Sequence, residues 1–402
     1  RFNELVGKTR QYLHLNGINK GDAIAFAYEN SPEVILLSWA AWTMGVKTVP
    51  LDTKRDDLEM MEYKINLAGA QILFSKTDIR LKSEAKSVAL SVRDLEDVQA
   101  GKADYQENIG LSSDALVLFT SGTTAKPKGV LLTQENLMAN ADGIADWLKI
   151  NQNDKFMITL PLHHINSTTM CLATFIRGGA VVLTSRYSNS GFWKLAAQSG
   201  ATLTSAVPTI IHDQLTQKAE FNRLKSRIKL SRIQLGSAPV VVAEAESFVK
   251  LTQIPLIQGY GQTETSLRST GVPMNLSPTQ YSRIVKLNSL GTQLKHTQVT
   301  ILDHHGLKLP AGKVGDICVR GPSVTPGYLN DPQANQAAFA HNWFHSGDTG
   351  YWTKIYGRKF FFMVGRPQEI IKKGGVRISP LAIENTLLKH YPDLDQVYAV
   401  GF

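Results

Sequence analysis

Hydroxyl and lysine side chains are concentrated in residues 119–130, which read Phe-Thr-Ser-Gly-Thr-Thr-Ala-Lys-Pro-Lys-Gly-Val. The apolar run Ala115–Phe119 precedes this stretch and another begins at Val130, so the pattern predicts a strand, a loop and a strand. Backbone N–H groups, hydroxyls and two ammonium groups in one loop can bind a polyanion, and a nucleotide polyphosphate fits this set best. The segment differs from the usual P-loop because glycine follows Lys128. A surface turn with solvated lysines is the alternative.

Two other glycine-containing segments carry acidic side chains. Residues 258–265, Gln-Gly-Tyr-Gly-Gln-Thr-Glu-Thr, follow the apolar run 254–257. A strand that ends in glycines lets a ligand approach the carboxyl edge of a sheet, where α/β proteins bind nucleotides. Residues 343–350, Trp-Phe-His-Ser-Gly-Asp-Thr-Gly, form the second segment. Either segment alone is also typical of a turn with a solvated carboxylate.

Together these segments resemble the motifs of the AMP-forming adenylating enzymes, which include acyl-CoA synthetases, peptide-synthetase adenylation domains and luciferases. Their signature loop reads Thr-Ser-Gly-Thr-Thr-Gly-x-Pro-Lys-Gly. This chain matches it at Thr120, Ser121, Gly122, Thr123, Thr124, Pro127, Lys128 and Gly129. It departs at Ala125, where the family usually has a glycine that tolerates positive φ and close approach of a ligand.

The resemblance implies a role for each polar residue in these segments. Tyr260 would stack on adenine, Thr263 would contact the α-phosphate, and Glu264 would hold Mg²⁺. Asp348 would accept hydrogen bonds from the ribose hydroxyls, and Arg366 would contact ribose and phosphate. The loop residues Thr120 to Thr124 and Lys128 would surround the outer phosphates, with Lys128 also acting in catalysis. The remaining nucleotide-binding candidates are Gly236, Ala238, Pro239, Gln258, Gly259, Gly261, Lys373, Gly374 and Gly375.

Weaker segments resemble the acid-binding side and the hinge of the same family. Residues 161–166, Pro-Leu-His-His-Ile-Asn, resemble the family's Pro-Leu-Phe-His, and the match at His164 implies a catalytic position beside the carboxylate pocket. A histidine next to apolar residues is also often structural. Residues 236–239 resemble a Gly-x-Ala-Pro turn that lines the adenine and acyl sites. Gln368 stands at the hinge, where the family more often has aspartate or lysine.

Strand and helix patterns alternate over most of the chain, which predicts parallel, doubly wound layers. A helix with Pro32 at its first position follows the capping residue Ser31, and a helix over 56–68 is stopped by Gly69. The predicted strands of this part are Ala23–Tyr28, Val46–Leu51, Phe156–Leu160, Ala180–Thr184, Leu203–Val207, Ile233–Leu235 and Pro255–Gln258. From about residue 290 the pattern is β-rich, at Gln298–Leu302, Val314–Arg320 and Lys359–Val364.

The predicted fold class is therefore α/β. The resemblance implies a large domain of doubly wound mixed sheets over residues 1–365, with a distorted β-barrel from about 290. Residues 366–402 would hold the hinge and an incomplete small α+β domain, with a helix from Ser379-Pro380 that carries Glu384 and a strand at Gln396–Val400. The family's catalytic lysine, which lies near its C-terminus, has no match here.

Composition limits the class of protein. A chain of 402 residues, 43% hydrophobic and 19% charged, can bury the core of one large or two domains. Two cysteines rule out a disulfide framework or a cysteine-rich zinc site and suit the cytosol. The longest apolar stretch, Val34–Val46, is shorter than the ~17–25 residues that span a bilayer. No signal-peptide character opens the chain. These features predict a cytoplasmic protein without a transmembrane segment.

The net charge of +9 suits anionic substrates such as ATP and coenzyme A as well as nucleic acid. The basic residues are densest between Lys218 and Lys229, without interleaved aromatics or zinc-finger spacing. This region is typical of a solvated helix face. Binding of nucleic acid therefore has only the net charge in its favour.

The resemblance implies an ATP-dependent ligase. A substrate carboxylate would attack the α-phosphate of Mg·ATP, pyrophosphate would leave, and coenzyme A would take the acyl group from the acyl-AMP. An enzyme that loads a carrier-protein pantetheine is an alternative, although the lack of an aspartate near His164 disfavours an α-amino acid substrate. A non-catalytic acyl-adenylate or nucleotide-binding homologue is another, which Ala125 and Gln368 support and which Lys128 and Glu264 oppose.

Overall fold

A computed structural model describes residues 1–99, 109–120, 126–236, 241–366, 371–373, 376–378, 380–391, 397 and 399–400. Several sequence-derived candidates lie outside these residues: Ser121, Gly122, Thr123, Thr124, Ala125, Ala238, Pro239, Gln368, Gly374 and Gly375. For Lys373 the backbone alone is described.

Helices cover both halves of the described chain. In chain order they are α1 Phe2–Leu15, α2 Pro32–Thr43, α3 Leu58–Ala68, α4 Val92–Glu96, α5 Gln134–Trp147, α6 Ile165–Phe175, α7 Phe192–Ser199, α8 Pro208–Thr216, α9 Lys218–Leu224, α10 Val242–Thr252, α11 Pro278–Lys286, α12 Pro332–Ala338 and α13 Pro380–His390. Short 3-10 turns lie at Thr263–Thr265 and Ala340–Asn342. No described helix combines the length and the apolar character needed to cross a membrane.

The strands are as follows, in chain order: β1 Ala23–Ala27, β2 Lys47–Pro50, β3 Ala70–Ser75, β4 Lys86–Ala89, β5 Asp114–Thr120, β6 Lys128–Thr133, β7 Lys155–Ile158, β8 Ala180–Leu183, β9 Leu203–Ala206, β10 Arg232–Leu235, β11 Leu256–Tyr260, β12 Thr270–Gly271, β13 Thr292–Gln293, β14 Gln298–Leu302, β15 Gly315–Arg320, β16 Gly327–Tyr328, β17 Phe344–Ile355, β18 Arg358–Gly365, β19 Ile371–Lys373 and β20 Val376–Ile378.

Local chemistry explains where the early helices begin and end. Pro32 opens α2 as expected, but the Ser31 hydroxyl makes no capping hydrogen bond and is buried without a partner. Helix α3 begins at Leu58, two residues later than predicted, because the Asp57 carboxylate accepts a hydrogen bond from the Met60 N–H. It ends before Gly69, whose φ of 68° lies in the left-handed region.

Two seven-stranded sheets form the layers that position the candidate residues. The first has the order β16-β6-β5-β2-β1-β3-β4, with parallel pairs among β1 to β5 and antiparallel pairing of β6 with β5 and β16. The second has the order β13-β12-β11-β10-β9-β7-β8 and is parallel from β7 to β11. The carboxyl ends of β9, β10 and β11 therefore share one edge, where such sheets bind ligands.

The β-rich region predicted from about residue 290 forms a four-stranded antiparallel sheet, β14-β15-β17-β18. A bridge between Gly291 and Phe361 links this sheet to the segment before β13. Strands β19 and β20 form a separate hairpin. The mixed α/β class with several sheets is the one that the sequence predicts.

Two local predictions were wrong. The basic region Lys218–Lys229 is not one helix face, because α9 ends at Leu224 and Lys225, Arg227 and Lys229 follow it, although all are exposed. The strand predicted at Gln396–Val400 is not found at its described positions, since Val397, Ala399 and Val400 lie outside any strand.

Candidate active site

The lysine-rich loop joins β5 and β6, as the sequence predicts. Thr120 and Lys128 pair across this antiparallel hairpin, so both lie at its end. The Lys128 ammonium group lies 5.3 Å from the centroid of the Tyr328 ring and 4.0 Å from the Asp331 carboxylate. With its side chain about one-third exposed, Lys128 can still reach an anionic ligand.

A second group of side chains fixes the base of the loop. The Tyr63 hydroxyl donates a hydrogen bond of 3.2 Å to the Pro127 carbonyl, and the Lys126 ammonium group lies 5.1 Å from the centre of the Tyr63 ring. Tyr63 also packs edge-on against Phe119. These contacts come from α3, so the helix that Asp57 caps also positions the hairpin end. No sequence motif pointed to Tyr63.

The carboxyl end of β11 meets the third sheet through Tyr260. Its hydroxyl donates a 2.8 Å hydrogen bond to one oxygen of Asp348, and the Arg366 Nε donates a 2.9 Å bond to the other. Asp348 is 3% exposed, whereas the Arg366 side chain is about half exposed. A further bond, from the Gln262 amide to the Ser346 carbonyl, ties the same two segments together. Three residues predicted to hold a nucleoside thus form one hydrogen-bonded group.

The protonation state of this group suits hydrogen bonding to a ribose. Burial raises the pKa of Tyr260 well above its usual range, and the negative charge of Asp348 raises it further. Tyr260 is therefore a neutral donor at physiological pH. Asp348, with a donor on each oxygen, retains lone pairs that further hydroxyl groups can reach.

Glu264 lies in the 3-10 turn that follows β11, directly after Thr263. Its carboxylate is 6% exposed and accepts a 3.0 Å hydrogen bond from the Tyr328 hydroxyl. Burial raises the pKa of Glu264, and burial together with the charge of Glu264 raises that of Tyr328. Within the described residues no cationic side chain lies within 4.0 Å of Glu264. A buried carboxylate that keeps free lone pairs offers the oxygen ligands that a hard divalent cation requires, so Glu264 fits Mg²⁺.

Tyr328 connects two parts of the site, and the sequence did not single it out. It lies on β16, which pairs with β6 at Val130 and Leu131 and adds an edge strand to the first sheet. Its ring faces Lys128 and its hydroxyl contacts Glu264. Lys128 was predicted to contact the outer phosphates and Glu264 to hold Mg²⁺, and one tyrosine contacts both side chains.

The histidine segment lies at the start of α6. His163 Nε2 is 3.4 Å from an oxygen of Asp52, and the His163 and His164 rings are 4.5 Å apart. One ligand atom from each of these three residues lies within 4.8 Å of the others. Burial lowers the pKa of His163 to about 4, and desolvation also lowers that of His164, so both imidazoles are neutral at pH 7. Asp52 is a neighbour of the two histidines that the sequence did not reveal.

The glycine candidates lie where strands end, but Gln258 contacts another region. Gly236 follows β10 and Gly259 lies in β11, and both are buried. The Gln258 amide instead donates a 3.2 Å hydrogen bond to Asn288, which lies between α11 and β13 in the sequence. The structure gives no contact that joins the Gln258 side chain to Tyr260, Glu264 or Asp348.

Comparison with known proteins agrees with this geometry. The profile of the AMP-binding enzyme family matches residues 1–329. The chain belongs to the AMP-binding enzyme family. A probable CoA ligase of Humulus lupulus is 31% identical, over 100% of this chain and 78% of that protein. The oxalate–CoA ligase of Arabidopsis thaliana is also 31% identical, over 100% of this chain and 80% of that protein.

Solved structures of the family extend the likeness to the fold. The o-succinylbenzoate CoA synthetase of Bacillus subtilis, in complex with its acyl-adenylate intermediate, superposes with a TM-score of 0.86 at 27% identity and covers 100% of this chain and 79% of that one. The same enzyme with ATP and magnesium ion gives 0.85 at 26% identity, covering 100% and 81%. The predicted resemblance and fold class are confirmed.

The family assignment also confirms the enzyme class. The AMP-binding family relatives are acid–thiol ligases, and the CoA ligases of this family use ATP, Mg²⁺ and coenzyme A. The division of the chain at residue 365 and the roles of the individual site residues stay predictions.

Proposed function

We propose that this protein activates a carboxylic acid with ATP as an acyl-AMP, releases pyrophosphate, and transfers the acyl group to coenzyme A. The observation that carries the proposal is the convergence of two hydrogen-bonded groups, each built around a buried carboxylate, near the carboxyl end of β11. Tyr260, Asp348 and Arg366 form the first, and Glu264 with Tyr328 forms the second, beside Lys128. The first group has the chemistry of a nucleoside site and the second that of a phosphate and cation site.

Asp348 binds the ribose in this proposal. Its carboxylate is already held by Tyr260 and Arg366, so it loses little rotamer freedom when a nucleotide arrives. The Arg366 guanidinium, half exposed, can turn towards a phosphate oxygen while it keeps the carboxylate oriented. The Tyr260 ring provides a face on which adenine stacks.

The residues on the phosphate side of the site neutralise the negative charge of the triphosphate while the substrate carboxylate attacks. Lys128 places an ammonium group near the β- and γ-phosphates, with hydroxyls of the loop that includes Thr120, and Thr263 contacts the α-phosphate. Glu264 would hold Mg²⁺, which lowers the charge density of the triphosphate when bound. Tyr328 keeps the Glu264 carboxylate in one orientation through its hydroxyl. Catalysis is then mainly positioning and electrostatic stabilisation of the displaced pyrophosphate.

The acid enters beside His164, at the start of α6. A neutral imidazole there can donate a hydrogen bond to a carboxylate without neutralising its nucleophilic charge. Coenzyme A is proposed as the acceptor because the relatives named above are CoA ligases. Loading of a carrier protein has no support among them.

Pyrophosphate exchange into ATP, with a panel of carboxylic acids, tests the proposal. Wild type should exchange in an acid-dependent and Mg²⁺-dependent manner, and added coenzyme A should convert exchange into AMP release. Glu264→Gln should reduce exchange about a hundredfold or more, since it removes the charge that holds the cation. Glu246→Gln, an exposed carboxylate paired with Lys286, is the matched control and should leave the rate unchanged.

A chain that binds ATP tightly but exchanges with no acid would favour the non-catalytic homologue instead. Calorimetric titration with AMP separates these outcomes because it requires no chemistry. Intact AMP binding with no exchange across the whole panel would refute the proposed activity, whereas loss of both would indicate an inactive preparation.

A further inference from the structure

Arg268 is the most unusual charged residue in the described chain. It is 1% exposed, and its Nε and Nη2 atoms are buried without a hydrogen-bond partner. No carboxylate among the described residues lies within ion-pair distance of it. Burial lowers the pKa of Arg268 to about 9, so the guanidinium is still charged at neutral pH. A buried charge without a counter-ion is strongly unfavourable, and such a group persists where it has a function.

A buried arginine in the same sheet shows the ordinary arrangement. Arg232, on β10, is 7% exposed and forms a 2.8 Å ion pair with Asp154. Asp154 accepts a further bond from Thr202. Arg232 therefore has a counter-ion within the fold, whereas no described residue provides one for Arg268.

The glycines at the ligand edge of the second sheet make room for Arg268. A Cβ atom on Gly236 would lie 2.4 Å from Arg268 Nη2, and one on Gly259 would lie 2.9 Å from Arg268 Cδ. Neither position can therefore carry a side chain while the guanidinium stays in place. These two glycines are at the carboxyl ends of β10 and β11, so the guanidinium lies at the edge where the sheet binds ligands.

Arg268 lies on the opposite face of β11 from the nucleoside group. Successive residues of a strand point to opposite faces. Tyr260 points towards Asp348, and Gly259, its neighbour, faces Arg268 and Trp147. The guanidinium is thus directed away from the proposed ribose site.

Helix α6, which begins at the proposed acid entrance, is hydrogen-bonded to β10 and to the segment that carries Arg268. Asn166 donates a hydrogen bond to Gln234 on β10, and Thr169, three residues later and on the same helix face, donates to the Ser266 carbonyl. The Asn166 Oδ1 atom is buried and has no partner. Unpartnered polar atoms therefore occur both on α6 and on Arg268.

The backbone that carries Arg268 is strained. Ser266 has a φ of 58° and Leu267 a φ of 126°, in a region that residues with a side chain rarely adopt. Backbone strain of this kind is concentrated at binding and catalytic sites. The next residue, Arg268, is buried, and its side chain lies against Gly236 and Gly259.

We propose that Arg268 binds a second anionic group on the acid substrate, so the enzyme activates short acids that carry another carboxylate or sulfonate besides the reacting one. This inference rests on the proposed activity and names its substrate class. The reacting carboxylate lies towards Glu264 and Thr263, and the remote anion lies against the guanidinium. Pairing with a ligand supplies the counter-ion that the fold omits, and it explains why both neighbouring strand ends are glycine.

Matched pairs of acids test the assignment. Malonate against propanoate and succinate against butanoate differ in charge at similar chain length. In ATP- and coenzyme A-dependent release of AMP, wild type should prefer the dianionic member of at least one pair. Arg268→Met should reduce kcat/KM for that diacid relative to its monoacid by roughly 10- to 150-fold, the range for one lost charge-assisted contact. Arg268→Lys should retain part of the preference.

A binding measurement decides the role of Arg268 independently of turnover. In thermal melts with AMP present, the preferred diacid should raise the melting temperature of wild type and not that of Arg268→Met. Without ligand, Arg268→Met should melt at or above wild type, because the substitution removes an unpaired buried charge. Arg283→Met, an exposed arginine on α11, is the matched control and should keep the wild-type preference.

Three results would overturn the inference. The first is a wild-type enzyme that prefers the monoacid in both pairs. The second is equal stabilisation of wild type and Arg268→Met by the diacid. A less stable Arg268→Met with unchanged preference would assign Arg268 a structural role. Failure of every acid to support AMP release would count against the proposed activity, and the melting data would still decide whether Arg268 binds the dianion.

Discussion

Replacing Asp348 with asparagine tests the central group of the nucleoside site. The substitution keeps the shape of the side chain and one acceptor oxygen for Tyr260, but it removes the charge that Arg366 and the ribose hydroxyls meet. Hydrogen bonds to a charged group contribute about 1.5–3 kcal/mol and those to a neutral group about 0.5–1.5 kcal/mol. Loss of the charge in two ribose contacts should therefore cost about 2–3 kcal/mol, or roughly 30- to 150-fold in AMP affinity.

Calorimetric titration with AMP is the appropriate assay because no bond is made or broken. Asp316→Asn serves as the control, since Asp316 is a half-exposed carboxylate in the same sheet. Its AMP affinity should equal that of wild type. Tyr260→Phe removes the hydroxyl and keeps the ring. It should reduce the affinity for AMP less than Asp348→Asn does, because the stacking face remains.

A folding control and a threshold in AMP affinity decide the test of Asp348. Asp348→Asn must first give the wild-type urea midpoint to within a small shift, so that folding does not enter the comparison. If the folded variant then binds AMP within about threefold of wild type, Asp348 does not bind ribose. The Tyr260–Asp348–Arg366 group would in that case serve only to join β11 to the third sheet.

Other perturbations follow from the same geometry. Lys128→Ala should slow pyrophosphate exchange about tenfold or more with little change in the Kd for the acid, because the proposed partner of Lys128 is phosphate. An equal loss in exchange rate and in affinity for the acid would assign Lys128 a structural role. His163 has a pKa of about 4, below the ~6.5 of an unfolded histidine, so its neutral form stabilises the fold above pH ~6.5 and that contribution is lost as the pH falls towards 4. His163→Phe should therefore flatten the decline of the urea midpoint between pH ~7 and ~5, and an unaltered decline would contradict this. Lys64→Met leaves the buried Asp56 unpaired and should lower the free energy of unfolding by about 3–5 kcal/mol in urea, with Lys64→Met/Asp56→Leu largely restored.

Elements with strong local signals were predictable from the sequence. The strand at Gln298–Leu302 is found as predicted, and β1 differs from its prediction by one residue at Tyr28. Gly69 stops α3 as expected, because glycine alone adopts a left-handed φ without steric cost. Alternating hydrophobic periods and end-capping residues are properties of a few consecutive residues, so a single sequence contains them.

Contacts between distant segments could not be predicted in the same way. Tyr328 and Glu264 are 64 residues apart, and they meet only because β16 pairs with the outer edge of β6. That two-residue strand has no periodicity to detect. Asp52 next to His163 depends likewise on the packing of the first sheet against α6. Motifs therefore located the candidates, whereas the topology determined which side chains accompany them.

Charge compensation distinguishes the candidate site from the rest of the interior. Remote buried charges such as Arg232 have a partner of opposite sign within the fold. Around the carboxyl ends of β10 and β11, burial raises the pKa of Glu264, and Arg268 has no counter-ion among the residues that the structure describes. A fold selected for stability alone would replace or pair both groups, since each costs free energy when left alone. In the proposed activity Mg²⁺ would complete Glu264 and an anionic substrate group would complete Arg268, so ligand binding should stabilise this protein more than binding at a surface site would.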